Sequence, residues 1–409
     1  MSFVGNLLGA TTKDEGTGKN RVIFMSTPQP AEQLRYFRKR QSQIVETIRQ
    51  LVEIESPSDV KQAVDRLGTV LASRFSELGG RVRFHPSEKF GKHLQIDFRP
   101  RNSHGKPVLL LGHMDTVYPI GTISKMPCRV SKDRVWGPGV LDMKAGIALA
   151  LHVIEAMLEW DNAKLTRPLT LLLVSDEEVG SASSRTVTEK LARDAAAVLV
   201  LEPAYGLNGD VKTARKGVGE YTLEVAGVAA HSGLDFEKGQ SAIIEIAHQV
   251  LEISKLVDSQ RGVTLNVGKI SGGTRTNVVP ATATATIDVR VASSADVAEI
   301  DRKLRSLKPF NPRCSILLTG RINRPPLERT EAVAGLYFKA RDVAQQLGWD
   351  LAEAAVGGGS DGNFTAAMGI PTLDGLGGVG EGAHAKHESV VIEGLPRRAA
   401  LLAGLIGRV

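Results

Sequence analysis

Three short apolar runs each end in residues that can hold a cation or move a proton. Val108–Leu111 leads into Gly112-His113-Met114-Asp115, Leu169–Val174 into Ser175-Asp176-Glu177-Glu178, and Ala197–Leu201 into Glu202. A fourth acid, Asp142, closes Gly137-Pro138-Gly139-Val140-Leu141 just before a helical stretch, and the Gly-rich segment Gly375–His384 brings a second imidazole. Runs that are apolar on both faces belong in the centre of a covered sheet, and open α/β sheets place their ligands beyond the C-terminal ends of such strands. Imidazole and carboxylate donors together suit a pair of divalent metals, zinc first, with Co²⁺ or Mn²⁺ as substitutes. In two-metal hydrolases the ions lie ~3.5–4 Å apart and share a bridging carboxylate and an activated water. Glu177-Glu178 offers such a site both a ligand and a free base, because neighbours in a turn point differently. Each residue alone has an ordinary explanation: Asp142 as a helix cap, Glu202 as a surface acid, His113 as a core histidine, Glu177-Glu178 as a solvated turn. Acids repeated at strand ends are what those explanations leave uncovered.

One rival motif competes for the same segment. Gly358-Gly359-Ser360-Asp361-Gly362 matches the G-x-S-x-G nucleophile elbow, and Asp374 and His384 follow in the order of a serine-hydrolase triad. Only 24 residues separate Ser360 from His384, which leaves little room for an intervening sheet. That reading also gives His113, Asp142, Glu178 and Glu202 nothing to do. A serine hydrolase using Ser360 is the distant alternative.

The elements around these residues follow from periodicity. Helical spacing runs from Pro30 to Glu55 and from Val60 to Leu78, then over Met143–Trp160 and Ser184–Ala192, between the central strands. Near Lys216 the pattern changes. A strand fits Gly217–Ala226, a helix Gln240–Val257 and a strand Val263–Lys269. Ala281–Val291 alternates cleanly, with a helix at Ser294–Ser306 and a strand at Arg313–Thr319 after it. This β-α-β-β-α-β order predicts one sheet covered by two helices. The α/β pattern returns with helices at Ala332–Leu347, Gly362–Met368 and Leu395–Ile406 and a strand at Pro371–Leu373. The fold class is α/β, a mainly parallel sheet with helices on both faces, interrupted by a ferredoxin-like insert. The expected division is a first catalytic part over 1–215 (with 1–29 a loose arm), an insert over 216–323, and a second catalytic part over 324–409.

Gly112-His113-Met114-Asp115-Thr116-Val117, Gly137-Pro138-Gly139 with Asp142-Met143-Lys144, Asp176-Glu177-Glu178-Val179-Gly180-Ser181 and Glu202-Pro203 resemble the zinc aminoacylase/carboxypeptidase metallopeptidase family. The likeness spans roughly residues 40–409 and is nearest the glutamate carboxypeptidase, folate-hydrolysing branch. It implies two Zn²⁺ per subunit. His113 and Glu202 would hold one, Glu178 and His384 the other, and Asp142 would bridge them. It makes Glu177 the general base, with Asp115 orienting His113. His387 competes with His384 for the last place, and a His four residues before Glu388 fits the pattern better. The resemblance also implies that the insert dimerises and that His231, in Ala229-Ala230-His231-Ser232-Gly233, stabilises the oxyanion in the partner's site. Asn277, Arg290 and Arg324 are similar to carboxylate-binding residues of that branch, and the Gly-rich turn at Gly359 would line the substrate site. An Arg fork can hold a carboxylate bidentately, so a substrate ending in glutamate is expected. N-acyl amino acid deacylation, of the acetylornithine or succinyl-diaminopimelate type, and dipeptide cleavage are the alternatives. A binding or scaffold protein on a decayed enzyme fold is disfavoured, since no ligand of the pattern is missing.

Composition is that of an ordinary globular chain, and the resemblance implies that its substrate is a small molecule or short peptide. The chain has 409 residues, 42% hydrophobic and 23% charged, which suits two compact units rather than disorder. Its charge is +6, and residues 1–50 hold eight Lys/Arg against four acids, so the remainder is close to neutral. Nucleic-acid binding needs a basic face spread over a folded domain, and none is present. No run approaches the ~20 apolar residues of a membrane helix. Cys128 and Cys314 cannot build a disulfide framework, and the N-terminus lacks a signal-peptide core. A cytoplasmic homodimer is expected.

Overall fold

The computed structural model describes residues 29–100, 103–160 and 167–409. The arm expected over 1–29 therefore lies almost wholly outside the described residues. At the centre, Leu169–Val174, Val108–His113, Ala197–Val200 and Thr372–Leu373 pair in parallel in that order. Their runs are continuous because both faces are covered. Val108, Leu110, Leu171, Leu173 and Leu199 face the larger core, while Leu109, Leu111, Leu172, Val174, Val198 and Val200 face a smaller one. The larger core is closed by Ala145–Trp160, Glu331–Gln346, Gly394–Ile406 and the three N-terminal helices; Ala192 and Ala195 help close the smaller one.

Two unexpected strands extend this sheet, Arg81–His85 and His93–Phe98, both joined antiparallel. The sheet is thus parallel-rich rather than uniform. The outer strand carries Arg81, Arg83 and His85 on an edge, and its neighbour buries Gln95 and His93. Their polar groups are satisfied laterally: Gln95 bonds His85 at 2.8 Å and Asp97 at 2.8 Å, and Thr170 donates to Asp97 at 2.7 Å. Both strands alternate polar with apolar residues, and Leu94, Ile96 and Phe98 are buried, so the pattern of a half-buried strand was present in the sequence. The helix expected from Pro30 to Glu55 is two helices, Pro30–Lys39 and Gln41–Val52. Arg40 leaves helical geometry at φ −103°, ψ 9°, where its guanidinium reaches Glu159 at 3.0 Å and lies 4.0 Å from the Tyr36 ring centroid.

Gly217–Ala226, Thr264–Gly272, Thr282–Val291 and Ser315–Arg324 form a separate antiparallel sheet, with Gly217–Ala226 and Thr282–Val291 central. Helices Ala242–Ser254 and Ser294–Arg305 pack on it around a core of its own. The alternation along Thr282–Val291 holds: Ala283, Ala285, Ile287, Val289 and Val291 are buried. The chain enters and leaves side by side, since Arg215 and Leu327 exchange backbone hydrogen bonds of 2.9 and 3.0 Å. No helix among the described residues is long and apolar enough to cross a membrane.

Candidate metal centre

His113 ends a central strand, Glu177 and Glu178 follow the next on a tight turn, and Glu202 follows the third. The parallel pairing puts these ends along one sheet edge. Glu202 is placed by close backbone approach. A Cβ on Gly146 or Gly377 would collide with the Leu201 carbonyl, so both positions need glycine. Asp142 lies in an irregular turn before helix Ala145–Trp160, with φ −115° and ψ 92°. His384 sits in left-handed backbone at φ +63°, uncommon for a residue with a Cβ.

The structure brings together two groups of ligand-type atoms, each within 4.8 Å: His113, Asp142 and Glu202, and Asp142, Glu178 and His384. His113 Nε2 lies 3.1 Å from Asp142 Oδ1 and 3.5 Å from Glu202 Oε1. His384 Nε2 lies 3.1 Å from Glu178 Oε2 and 3.4 Å from Asp142 Oδ2. Asp142 faces both imidazoles, one with each oxygen. His384, not His387, is the histidine that reaches the acids. Burial alone would pull the His113 pKa down, yet contacts with Asp115, Asp142 and Glu202 raise it well above the usual value. Asp142 and Glu178 push His384 up to about 10. Three carboxylates thus favour positive charge on both imidazoles, and divalent metal bound there would take the place of those protons. Glu178 Oε1 is moreover buried without a hydrogen-bond partner, a costly state for a carboxylate unless an ion meets it. These donors fit divalent metal.

The remaining expected residues fall in three places. Glu177 is next to the cluster, and its carboxyl is pushed up by burial against the pull of Arg324. Asp115 orients more than the imidazole. His113 Nδ1 meets the Asp115 carbonyl oxygen at 2.9 Å, closer than its carboxylate at 3.5 Å. The carboxylate instead accepts the N–H groups of Glu177 and Glu178 at 3.3 and 3.2 Å and the Ser58 hydroxyl at 2.7 Å. Arg324 is buried. Its Nη2 donates to Glu177 Oε1 at 2.9 Å, the Glu177 carbonyl at 2.8 Å, Ser181 Oγ at 2.8 Å and Asp361 at 3.2 Å. Gly359 packs against it, where a Cβ would come 3.1 Å from Arg324 Cδ. His231, Asn277 and Arg290 lie on the insert; His231 and Asn277 are exposed, and Arg290 is forked onto Asp288 at 2.9 Å. Ser360 is fully buried, donates to Asp374 Oδ2 at 2.6 Å and accepts from Gly362 N–H. Asp374 is itself held by Arg215, so the elbow motif is a structural turn and carries no nucleophile.

Two supports were not singled out beforehand. Glu388 is buried and accepts the N–H groups of Gly139, Leu141 and Asp142 at 2.8–2.9 Å, with the Tyr118 hydroxyl at 2.6 Å, fixing the turn that presents Asp142. Its only signal was its spacing from His384. Arg215 touches Glu202 at 3.4 Å and braces the Asp374 strand end, a cation with no signal in sequence because its partners are distant along the chain.

The model of peptidase family M20/M25/M40 matches residues 109–408. The chain belongs to that family. It is 30% identical over 370 residues to carboxypeptidase G2 of Pseudomonas sp. (strain RS-16), covering 90% of this chain and 89% of the relative. It is 29% identical over 304 residues to an acetylornithine deacetylase of Salmonella paratyphi B, covering 69% and 77%. Among solved structures, aminopeptidase PepT of Bacillus cereus superposes with a TM-score of 0.76 at 21% identity, over 90% of this chain and 98% of that one. The YXEP protein of Bacillus subtilis, described as a dinuclear metal binding peptidase, superposes at 0.66 with 14% identity, over 91% and 98%. The M20 membership makes this chain a metallohydrolase with an α/β peptidase fold.

Proposed function

We propose that this M20 hydrolase is a dinuclear zinc amidohydrolase that releases a C-terminal amino acid, glutamate, from a small acyl or short-peptide conjugate. The observation that carries this reading is the pair of donor groups meeting at Asp142, with Glu177 beside them. His113 and Glu202 would hold one ion, Glu178 and His384 the other, and Asp142 both; Co²⁺ or Mn²⁺ suits the same donors. The ions, when bound, supply Lewis acidity toward the scissile carbonyl and a lowered water pKa. Glu177 takes the proton of the attacking water and returns it to the departing amine, a role that favours a carboxyl raised by burial. Asp115 holds the Glu177-Glu178 turn at its backbone.

Arg324 sits beside this base and would meet a leaving α-carboxylate or side-chain carboxylate there. Arg290 and Asn277 complete that recognition from the insert, with Gly359 giving room against Arg324. The insert, divided off at about 216 and 323, would pair two chains in the cytoplasm as a homodimer. Its helix Ala242–Ser254 exposes Ile244 and Leu251, and its edge strand exposes Ile270, apolar surface that a second copy would cover. His231 then serves the partner's site. Its Nδ1 accepts from Gly233 and Leu234 N–H at 3.1 and 3.2 Å, which leaves the proton on Nε2 to face an oxyanion.

The likeness to carboxypeptidase G2 supports cleavage at a C-terminal residue; the likeness to acetylornithine deacetylase supports N-acyl amino acid deacylation as the second reading. A panel of N-acyl amino acids separates them. Glutamate conjugates should be turned over fastest, and Arg324→Lys should raise their KM with metal content unchanged. Equal turnover of acidic and neutral conjugates would remove glutamate and keep the hydrolase.

A further inference from the structure

Gly358-Gly359-Ser360-Asp361-Gly362 carries no nucleophile, yet Ser360 and Asp361 are buried and fastened to different elements. Ser360 goes to Asp374, and Asp361 accepts from Ser181 and Arg324. Asn363, the next residue, is fully buried and spends both donors of its amide. Its Nδ2 donates to the Lys216 carbonyl at 3.1 Å and to the Pro325 carbonyl at 2.8 Å, while Oδ1 accepts the Ser360 N–H at 2.9 Å. Lys216 and Pro325 belong to the two connections through which the chain enters and leaves the insert. These connections touch, since a Cβ on Gly217 would come 2.9 Å from the Arg324 carbonyl oxygen and from Pro326. Arg215 reaches the same turn, its Nη1 donating to the Gly358 and Gly359 carbonyls at 3.1 and 3.3 Å.

We propose that Asn363 is a positioning residue, a clasp on the hinge of the insert that sets how the insert is presented to the metal centre. A unit joined by two strands swings about them, and such motion is absorbed by a few residues at element ends. Asn363 ties both connections to each other and to the Gly358–Ser360 turn, so a displacement of one is passed to the other two. Asp in its place keeps the shape but has no N–H to give, and Ala offers neither donor nor acceptor. The exit strand carries Asn323 and Arg324 onto the Glu177 turn, so a swing at Pro325 works against those bonds. On the reading given above, on which this step rests, Asn277 and Arg290 meet substrate from the insert and Gly359 lines it from the turn. The clasp then links substrate at the turn to the angle of the insert. Its loss costs binding across the two units rather than metal at the centre.

Hydrogen exchange on the metal-loaded, full-length protein tests the clasp without any substrate. In Asn363→Ala, amides over 214–219, 322–328 and 357–361 should exchange about tenfold faster than in wild type or more. Val108–His113 and Thr282–Val291 should keep their protection, and metal content should be unchanged. Asn363→Asp keeps the volume and the acceptor, so it reads the clasp even should Asn363→Ala fail to fold. There the two connections should loosen while the Ser360 amide stays protected. Kinetics gives the second readout. KM for the glutamate conjugate turned over fastest should rise by about tenfold in Asn363→Asp with kcat near the wild-type value, a split that general destabilisation does not produce. Wild type that turns over no glutamate conjugate, with exchange quickened at the connections in Asn363→Asp, would remove the glutamate reading and support the clasp. Connections exchanging as in wild type, exchange quickened alike throughout the chain, or an unmoved KM beside loosened connections would overturn the proposal.

Discussion

Glu177 and Glu178 are adjacent, the first buried and the second half-buried, and face different partners. Glu178 looks to His384 across 3.1 Å, while Glu177 looks to Arg324 across 2.9 Å. That divergence is what lets one serve as ligand and the other as base, and it was legible only as a possibility in a pair of identical acids. Glu177→Ala should lose about 10²–10⁴ in kcat, the usual worth of a positioned acid–base group, while retaining its metal. Rate and metal content measured on the same preparation check this; loss of both together would make Glu177 a ligand instead. Glu388 acts at one remove, through the three N–H groups it accepts around Asp142. Glu388→Ala leaves those donors buried and unpaired, at about 1–3 kcal/mol each. It should weaken metal retention by roughly 10–100-fold in competition with a chelator, with Glu388→Gln intermediate. Retention equal to wild type would show that the turn holds without it.

At the level of elements, the strands that aim the site were legible because they are apolar on both faces and end in chemistry. The insert was legible because Thr282–Val291 keeps strict alternation over its whole length. Arg81–His85 and His93–Phe98 were legible too, as short alternations with Leu94, Ile96 and Phe98 on the buried face, but went unpredicted; what the sequence hides is the lateral bonding of Gln95, Asp97 and Thr170 that lets the polar face lie in a sheet. The bonding of Arg398 is hidden in the same way. It sits mid-helix in Gly394–Ile406, 1% exposed, and donates to the carbonyls of Gly377 at 2.9 Å and Gly209 at 2.7 Å and to that of Gly375. The helix therefore ties down the glycine-rich segment that precedes His384 and flanks Glu202. Arg398→Leu should destabilise the fold by about 3 kcal/mol or more, since it strands three buried acceptors. A denaturant midpoint shared with wild type would contradict this.

The whole molecule joins the central sheet, with a core on each face, to the insert's own core through chain segments that run side by side, with Arg324 at the end of the insert's last strand fastened to the turn of Glu177. Asn323 adds a bond to the Gly180 carbonyl at 2.7 Å, so the insert's exit is tied to the Glu177 turn by both residues. His231 lies on the exposed insert, and a role for it needs a second chain. Mixing inactive His231→Ala and Glu177→Ala subunits should restore one working site per heterodimer, of two. Failure despite confirmed exchange would return His231 to a loop histidine, with the expected 10²–10³ rate effect withdrawn. The central claim concerns the cluster at Asp142, and metal stoichiometry set against activity tests it most directly. Purified protein should hold two divalent ions per chain, lose activity on chelation and regain it with zinc, and Asp142→Ala should bind neither ion firmly nor turn over. A metal-free protein that keeps full activity on the same substrate would contradict the account.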